Sequence, residues 1–448
     1  MNVRNKATRI RLSDFHSAPM RAFHMTWLAF FLCFFGWFGI APLMPVVRSE
    51  LHLTKEQVGN SIIASVAITI LARLAIGWLC DRIGPRKAYT WLLALGSLPV
   101  IGIGLSHDYT TFLIFRLAIG AIGASFVITQ YHTSVMFAPN VVGTANGAAA
   151  GWGNLGGGVT QMVMPLLFSA FLSLGVSSWW SWRLAMAVPG VALFLTGIAY
   201  YFLTQDTPDG DFEKLRAERA QWSASAGAAF REACRDRRVW ALALLYGSCF
   251  GMELTIDNVA ALYFVDYFHL TLKVAGVVAS SFGMMNLFAR ALGGVASDRC
   301  NRAWGLRGRT LLLAATIACE GLALMAFSQI RSLLLAIASM MLTGLFVKMS
   351  NGATYAVVPF VNPRALGAVA GIVGAGGNLA AVLAGFLFKT AGLTWPQAFL
   401  ILGVWVAASS PVALLVRFCP ADEGPARREL EARLTGTFAP AAADYLSS

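Results

Sequence analysis

The chain has 448 residues, of which 57% are hydrophobic and 12% are charged, and its mean hydropathy is +0.65. Soluble globular domains contain about 25% charged residues, so this composition excludes a soluble globule. Apolar stretches long enough to cross a hydrocarbon core of about 30 Å recur along nearly the whole chain. We therefore expect an all-α polytopic membrane protein.

Charge and cysteine content restrict the partners. The net charge of +12 would suit a nucleic-acid ligand in a soluble protein, but an excess of Lys and Arg is also typical of the cytoplasmic loops of multispan proteins. We expect the lipid bilayer, and no nucleic acid, as the partner. The seven cysteines show neither zinc-site nor disulfide-framework spacing. All are expected to be structural, with no metal and no cofactor.

Division of the sequence at Pro, Gly and charge clusters predicts twelve transmembrane helices in two sets of six. The predicted spans are residues 25–46, 58–80, 88–106, 110–134, 143–172, 182–203, 239–265, 274–297, 309–328, 331–358, 364–388 and 396–418. The predicted organisation is an N-terminal tail (1–24), a six-helix bundle (25–203), a linker (204–238), a second six-helix bundle (239–418) and a C-terminal tail (419–448).

The distribution of basic residues predicts the orientation of the spans. Most Lys and Arg residues fall in the N-terminal tail, the 81–87 loop, the linker, the 298–309 loop and the stretch after 417. By the positive-inside rule, both termini and the linker are cytoplasmic. The linker is either an amphipathic connector or a simple solvated segment.

An internal repeat relates the two halves of the chain. Arg73, Gly77, Asp81 and Arg82 of span 2 recur at the same mutual spacing in span 8; the recurring residues are Arg290, Gly294, Asp298 and Arg299. A second pair, Gly153-Asn154-Leu155 in span 5 and Gly377-Asn378-Leu379 in span 11, follows in the same order. Parallel repeats of helical bundles are typical of secondary transporters, whose substrate binds near the membrane midplane between the halves.

The Gly-x-x-x-Asp-Arg pieces of this repeat lie at the predicted cytoplasmic ends of their helices. There an Asp-Arg pair and a small residue can lock neighbouring helices together, so we assign a structural and gating role to both motifs: Gly77, Asp81 and Arg82, and Gly294, Asp298 and Arg299. The first motif resembles one that the major facilitator superfamily carries between its helices 2 and 3, although Pro85 stands where many members have a basic residue.

The two repeated arginines are the strongest candidates for a binding site. Arg73 and Arg290 precede the aspartates by eight residues and therefore lie about 12 Å deeper in the membrane. A charge at that depth costs at least ~2.5–3.5 kcal/mol, which favours a protein cavity. Snorkelling, or pairing with Glu253 or Asp257, is the alternative. Two guanidinium forks suit a monovalent trigonal oxyanion, with phosphate as the chemical runner-up.

Each glycine-rich segment of spans 5 and 11 also contains an asparagine. Glycine costs a helix roughly 1 kcal/mol relative to alanine, and close helix packing explains the glycines of residues 147–161 and 371–381. Packing does not explain Asn154 and Asn378, whose amides can donate to an anion.

These paired glycine-asparagine segments resemble the signature of the nitrate/nitrite porter family within the major facilitators. The resemblance covers nearly the whole chain and is closest to the plant-type high-affinity nitrate transporters, with a relation to NarK-type bacterial transporters. It includes residues 20–24, 41–43, 130–131, 253–258 and 357–361. Span 11 departs from the family pattern at Ala380 and Ala381, which puts its close packing in doubt.

The resemblance implies a fold of two pseudo-symmetric six-helix bundles and uptake of nitrate, and of nitrite, by alternating access across the cytoplasmic membrane. It implies that Arg73 and Arg290 clamp nitrate. Further substrate-binding residues follow from the family or from the repeat: Asn154, Asn378, Tyr246, Phe250, Phe126 and Phe34. From the residues alone, each Phe would more often face lipid or a neighbouring helix.

Energy coupling is the open question at this stage. An inside-negative potential opposes anion entry by about 2.3 kcal/mol per charge per 100 mV, so uptake needs proton symport or exchange for nitrite. Glu253 and Asp257, four residues apart on one helical face, are the candidate proton carriers. Alternatively they are hydrated at the extracellular end or paired with Lys273. The resemblance favours symport.

A receptor and an enzyme are the alternatives to a transporter. A nitrate-sensing receptor on the same fold would lack transport. An enzyme is not expected, because the sequence shows no nucleophile-base pair, metal cluster or phosphate-binding loop.

Overall fold

A computed structural model describes residues 5–213, 226–270, 272–389, 392–418 and 423–424. Within these ranges the elements are helices, and eleven helical stretches are long and apolar enough to cross a membrane. One of them, Val277–Gln329, is broken at Trp304 and Gly305, where Gly305 has a φ of 62°. The two arms of this stretch count as separate spans, so the prediction of twelve membrane helices is confirmed.

The helices α1 to α12 follow the predicted spans closely. In chain order they are Ala18–Phe38, Lys55–Ile83, Pro85–Gly102, Tyr109–Met136, Val142–Ser173, Ser178–Leu203, Arg237–Phe268, residues 272–303, residues 306–329, Leu333–Val357, Leu366–Lys389 and Trp395–Ser409. Local signals set several boundaries. Thr54 and Gln57 form a capping box before α2, and Gly84, with a φ of 86°, ends α2 directly before Pro85.

The glycines of α5 and α11 lie in the interface between the two halves. Gly147 and Gly151 of α5 pack against the backbone of α8, at the carbonyls of Arg290 and Asn286. Gly371 of α11 packs in the same way against the carbonyl of Arg73 in α2. A side chain at any of these positions would collide with backbone, so the glycines allow helices of opposite halves to touch.

The departure from the family pattern in α11 has a local compensation. The methyl group of Ala380 faces Gly247 and Gly251 of α7, in the same half of the molecule. The small residues that permit close packing here are therefore the two glycines of α7.

Two aspartates close one face of the molecule. We call it the basic face: it is the side at which α2 ends and α3 begins, and it is the predicted cytoplasmic side. The Asp81 carboxylate accepts hydrogen bonds from the Gly367 and Ala368 amides at 3.1 and 2.9 Å, at the start of α11. Asp298 accepts from the amides at the start of α5, those of Gly143 and Thr144, at 3.1 and 2.7 Å. Each carboxylate thus caps a helix of the opposite half, where the helix dipole favours negative charge.

The cation beside the second aspartate is not the arginine of its own motif. Arg299 is exposed, and the cation next to Asp298 is Arg309, at 2.8 Å. Arg309 also donates to the carbonyl of Pro139 at 2.9 Å, which ties α9 to the loop before α5. The Arg82 guanidinium lies 5.0 Å from the centre of the Trp78 ring, on its own helix.

The start of the linker is packed against the basic face. Asp206 is buried and accepts from the amides of Arg86 and Phe212 at 2.9 and 3.0 Å. Burial raises the pKa of Asp206 to about 6. Residues 214–225 of the predicted linker, and 419–422 and 425–448 of the predicted tail, lie outside the described residues.

Contact between Gly77 and Gly367 gives a testable stability difference. A Cβ at Gly77 would overlap the carbonyl of Gly367, whereas nothing lies within 4 Å of a Cβ at Gly59 on the same helix. We expect Gly77→Leu to destabilise the protein by about 1–3 kcal/mol relative to Gly59→Leu, because of overpacking. The unfolding temperatures in detergent provide the measurement, and equal values for the two variants would contradict the tight interface.

Candidate functional site

The two arginines of the repeat meet at the interface between the halves. Arg73 and Arg290 are 0% and 1% exposed. The Arg73 guanidinium carbon lies 4.9 Å from the centre of the Phe250 ring and 5.3 Å from that of Phe126. For Arg290 the same distances are 5.6 and 6.0 Å. The structure therefore brings both predicted arginines to the same two aromatic rings, where cation–π attraction stabilises them.

An aromatic stack forms one wall of this cluster. The rings of Tyr246 and Phe250 lie 5.0 Å apart and nearly parallel, at 8°. Phe126, from the other half, stacks on them at 5.6 and 5.9 Å. Tyr355, which the sequence analysis missed, meets Phe126 and Tyr246 edge-on at 4.7 and 4.9 Å. Three of the four predicted aromatic residues thus belong to one rigid wall.

Three buried hydrogen-bond donors of this cluster have no partner among the described residues. The Arg73 Nη1 donates to the Gly374 carbonyl at 2.5 Å, and its Nε lies 3.4 Å from the Gly123 carbonyl, but its Nη2 is unbonded. Nε of Arg290 and the hydroxyl of Tyr246 are unbonded as well. A buried polar group without a partner costs about 1–3 kcal/mol. These donors therefore indicate a site for an acceptor-rich ligand.

Arg290 has two partners that Arg73 lacks. With its amide oriented by its neighbours, Asn154 accepts through Oδ1 from Nη1 and Nη2 of Arg290 at 2.9 and 2.7 Å. The Nη2 of Arg290 also forms an ion pair with the carboxylate of Glu253. Pairing with an acid, the alternative considered from sequence, therefore occurs for Arg290, whereas Arg73 has no ion pair in the described part of the chain. Asn154 therefore contacts a clamp arginine through its amide oxygen.

Glu253 is a buried hub with four donors. Its Oε1 accepts from Lys348 and Asn286 at 3.0 and 2.8 Å, and its Oε2 accepts from Arg290 and from Asn351 at 2.6 Å. Lys348, Asn286 and Asn351 are not among the site residues predicted from sequence. The available signal was Lys348 itself, a cation inside an apolar predicted span.

Asp257 has a different environment from Glu253. Glu253 is 2% exposed, whereas Asp257, one turn further from the basic face, is exposed. Gly283 of α8 faces Gly158 of α5, in the other half. A Cβ added at Gly283 would lie 4.0 Å from Oδ1 of Asp257, which is van der Waals contact. Asp257 therefore lies where the two halves meet, and it is not enclosed by protein as Glu253 is. The side chain of Lys273 lies outside the described residues.

Two predicted site residues lie outside the cluster. Phe34 packs on Phe30 and Trp37 at 4.6 and 5.3 Å, and Phe30 is the α1 residue whose ring reaches Phe126, at 5.6 Å. Asn378 donates to the carbonyl of Val66 in α2 at 3.3 Å, which ties the halves together. The second asparagine of the repeat thus contacts backbone, whereas the first contacts a clamp arginine.

The comparisons with known proteins agree with this architecture. Residues 26–361 and 258–444 match the family described as Major Facilitator Superfamily. High affinity nitrate transporter 2.5 of Arabidopsis thaliana is 41% identical over 419 residues, 93% of this chain and 83% of that protein. Nitrate/nitrite transporter NrtP of Nostoc punctiforme is 31% identical over 434 residues, 81% of this chain and 85% of that protein.

Solved structures give the same fold. The proton:xylose symporter XylE superposes with a TM-score of 0.70 over 89% of this chain and 96% of that chain, at 15% identity. The fucose:proton symporter FucP of E. coli gives a TM-score of 0.64 over 89% of this chain and 100% of that chain, also at 15% identity. At these identities the similarity concerns the fold alone, and it confirms the predicted two-bundle architecture.

Proposed function

Since this chain belongs to the major facilitator superfamily and, within it, to the nitrate/nitrite porter family, we propose that it takes up nitrate, and also nitrite, by alternating access. The observation that carries the proposal is a group of three buried donors, on Arg73, Arg290 and Tyr246, that have no partner in the described part of the chain and lie beside aromatic rings. Both halves contribute to this group. One anion bound there would contact both bundles.

The chemistry of the cluster suits nitrate better than phosphate. Nitrate is planar and monovalent, and guanidinium groups present planar donor edges to such an anion. The stacked rings of Phe126 and Phe250 form a flat wall that a planar ion can lie along. Phosphate is more strongly hydrated and carries more charge, so it would need more donors than the three available.

Alternating access follows from the closed basic face. The caps of Asp81 and Asp298 join the halves on that side, and Asp257, on the other side of the clamp, is exposed. We place the basic face, both termini and the linker in the cytoplasm, by the positive-inside rule, and the protein in the cytoplasmic membrane. Breaking both caps would then release the anion inward.

A nitrate-sensing receptor is the alternative from another class of function. Both a receptor and a transporter would bind nitrate, but only a transporter exchanges it across a membrane. Counterflow of labelled nitrate in proteoliposomes that contain the purified full-length chain separates the two. Counterflow above protein-free liposomes supports transport, and nitrate binding without counterflow would favour the receptor.

Replacement of either clamp arginine by lysine keeps the charge and removes the planar fork. We expect Arg73→Lys and Arg290→Lys each to raise the nitrate dissociation constant at least about tenfold, which corresponds to ~1.4 kcal/mol. Isothermal titration of the purified protein measures this constant. Arg183→Lys is the matched control, because Arg183 lies outside the cluster, where it donates to the backbone carbonyls of Gly104, Trp179 and Ser106 and packs on the rings of Trp179 and Trp182. Wild-type affinity in both clamp variants would contradict the two-arginine site.

The two signature asparagines should differ in effect. Asn154 holds Arg290 through its amide oxygen, whereas Asn378 contacts the Val66 backbone. We expect Asn154→Ala to weaken nitrate binding at near-normal membrane yield, and Asn378→Ala to have a smaller effect on affinity. Titration and yield are measured side by side. Reduced yield at unchanged affinity for Asn154→Ala would assign it to helix packing.

We further propose that uptake is coupled to protons. Asp257 is exposed at the junction of the two halves, and Glu253 is bound to the clamp arginine one turn below it. A proton received by Asp257 can pass to Glu253, and a neutral Glu253 would release Arg290 to the anion. Symport by this route also removes the electrical opposition to anion entry. Exchange for nitrite is the alternative and needs neither acid.

Proton coupling is testable in vesicles. Nitrate added outside should drive proton influx with the wild type, and Asp257→Asn or Glu253→Gln should abolish that influx because each removes a titratable group. A pH-sensitive dye inside the vesicles measures it. Asp266→Asn, at the exposed end of α7, is a control expected to retain influx. Equal uptake driven by internal nitrite with no pH change would establish antiport.

A further inference from the structure

Lys348 is a buried cation to which the transport proposal assigns no task. It lies in α10, is 0% exposed, and contacts the Glu253 carboxylate at 3.0 Å and the centre of the Phe282 ring at 4.1 Å. A charged residue in the membrane interior is costly and is usually functional. Packing alone would be satisfied by an apolar side chain of the same length.

The charge of the C-terminal half depends on this lysine. Arg290 and Glu253 form an ion pair whose charges cancel. Lys348, as the second cation on Glu253, returns one net positive charge to the cluster. Arg73 brings one positive charge from the N-terminal half, so the two arginines and the groups paired directly with them carry one net positive charge in each half.

Two further acids lie near the cluster. Asp257 is exposed, and Glu320 of α9 is buried beside Ser350 on α10. In the described part of the chain, no ion pair joins either acid to Lys348 or Arg290. The direct charge balance at Arg290 is therefore decided by Glu253 and Lys348.

The hydrogen bonds of Glu253 allow it to release Arg290. If Arg290 turned to an incoming anion, Oε1 would keep Lys348 and Asn286, and Oε2 would keep Asn351. Without Lys348, Arg290 would be the one cation bound to this buried acid among the described residues. Breaking a buried pair so that a charge is left uncompensated is strongly unfavourable.

We propose that Lys348 is a positioning residue that retains Glu253 and keeps a net positive charge beside Arg290, so that a small monovalent oxyanion can replace Glu253 on the guanidinium. This inference rests on the proposed transport of nitrate. A carboxylate and nitrate both present planar, negatively charged oxygen edges, so one guanidinium can bind either. Lys348 supports anion binding without touching the anion.

The test compares nitrate dissociation constants of the purified full-length chain in lipid nanodiscs, by isothermal titration. Lys348→Met should raise the constant at least about tenfold, which is ~1.4 kcal/mol. The double variant Lys348→Met with Glu253→Gln should return to within about fivefold of the wild type, because it again leaves one net positive charge. Glu253→Gln alone is the matched reference and should bind nitrate at least as tightly as the double variant.

Each outcome decides the proposal. Wild-type affinity in Lys348→Met would overturn it, as would a double variant more than about fivefold weaker than the wild type, since a merely structural lysine is not rescued by removing an acid. If Lys348→Met does not fold, the nitrate affinity of the double variant alone tests the proposal, with the same limit of about fivefold. A wild type that binds no nitrate would instead overturn the transport proposal, and this inference with it.

Discussion

The structure depends on holding positive charge in the interior of a membrane protein. Arg73 and Arg290 are both buried, and neither can reach water. Aromatic faces, backbone carbonyls and an amide oxygen stabilise the guanidinium groups without neutralising them. Because one acid, Glu253, is matched by a second cation, Lys348, the cluster keeps positive charge for an anion. The polar groups around Arg73, Arg290 and Glu253 meet this requirement, because they stabilise buried charge without cancelling all of it.

The closed face and the clamp are mechanically connected. Gly147 packs on the backbone of Arg290, and Gly371 packs on the backbone of Arg73. These glycine contacts between the halves therefore lie on the same helical turns as the two arginines. Separation of the halves on that face would move the backbone behind each clamp residue. Access to the site and its geometry consequently change together, as alternating access requires.

The halves share a fold but divide the chemistry unequally. Asn154 contacts Arg290, whereas its repeat partner Asn378 contacts the carbonyl of Val66. Within the described residues, Arg290 pairs with an acid that also binds a lysine, whereas Arg73 contacts aromatic rings and backbone carbonyls. A parallel repeat preserves where helices lie, since that depends on small residues and caps. It does not preserve the partners of each side chain, because those come from different neighbouring helices.

The sequence by itself determined the membrane class, the twelve spans, the repeat and the two arginines. Hydropathy and spacing are local properties, so they are readable without knowing which helices touch. Only the tertiary structure decided that Phe30 rather than Phe34 reaches Phe126, that Arg309 rather than Arg299 contacts Asp298, and that Glu253 and Asp257 have unlike surroundings. It also decided that Lys348, Asn286 and Asn351 converge on Glu253 from α8 and α10. These contacts join helices far apart in the chain, and their geometry depends on helix rotation and packing, which one-dimensional spacing does not specify.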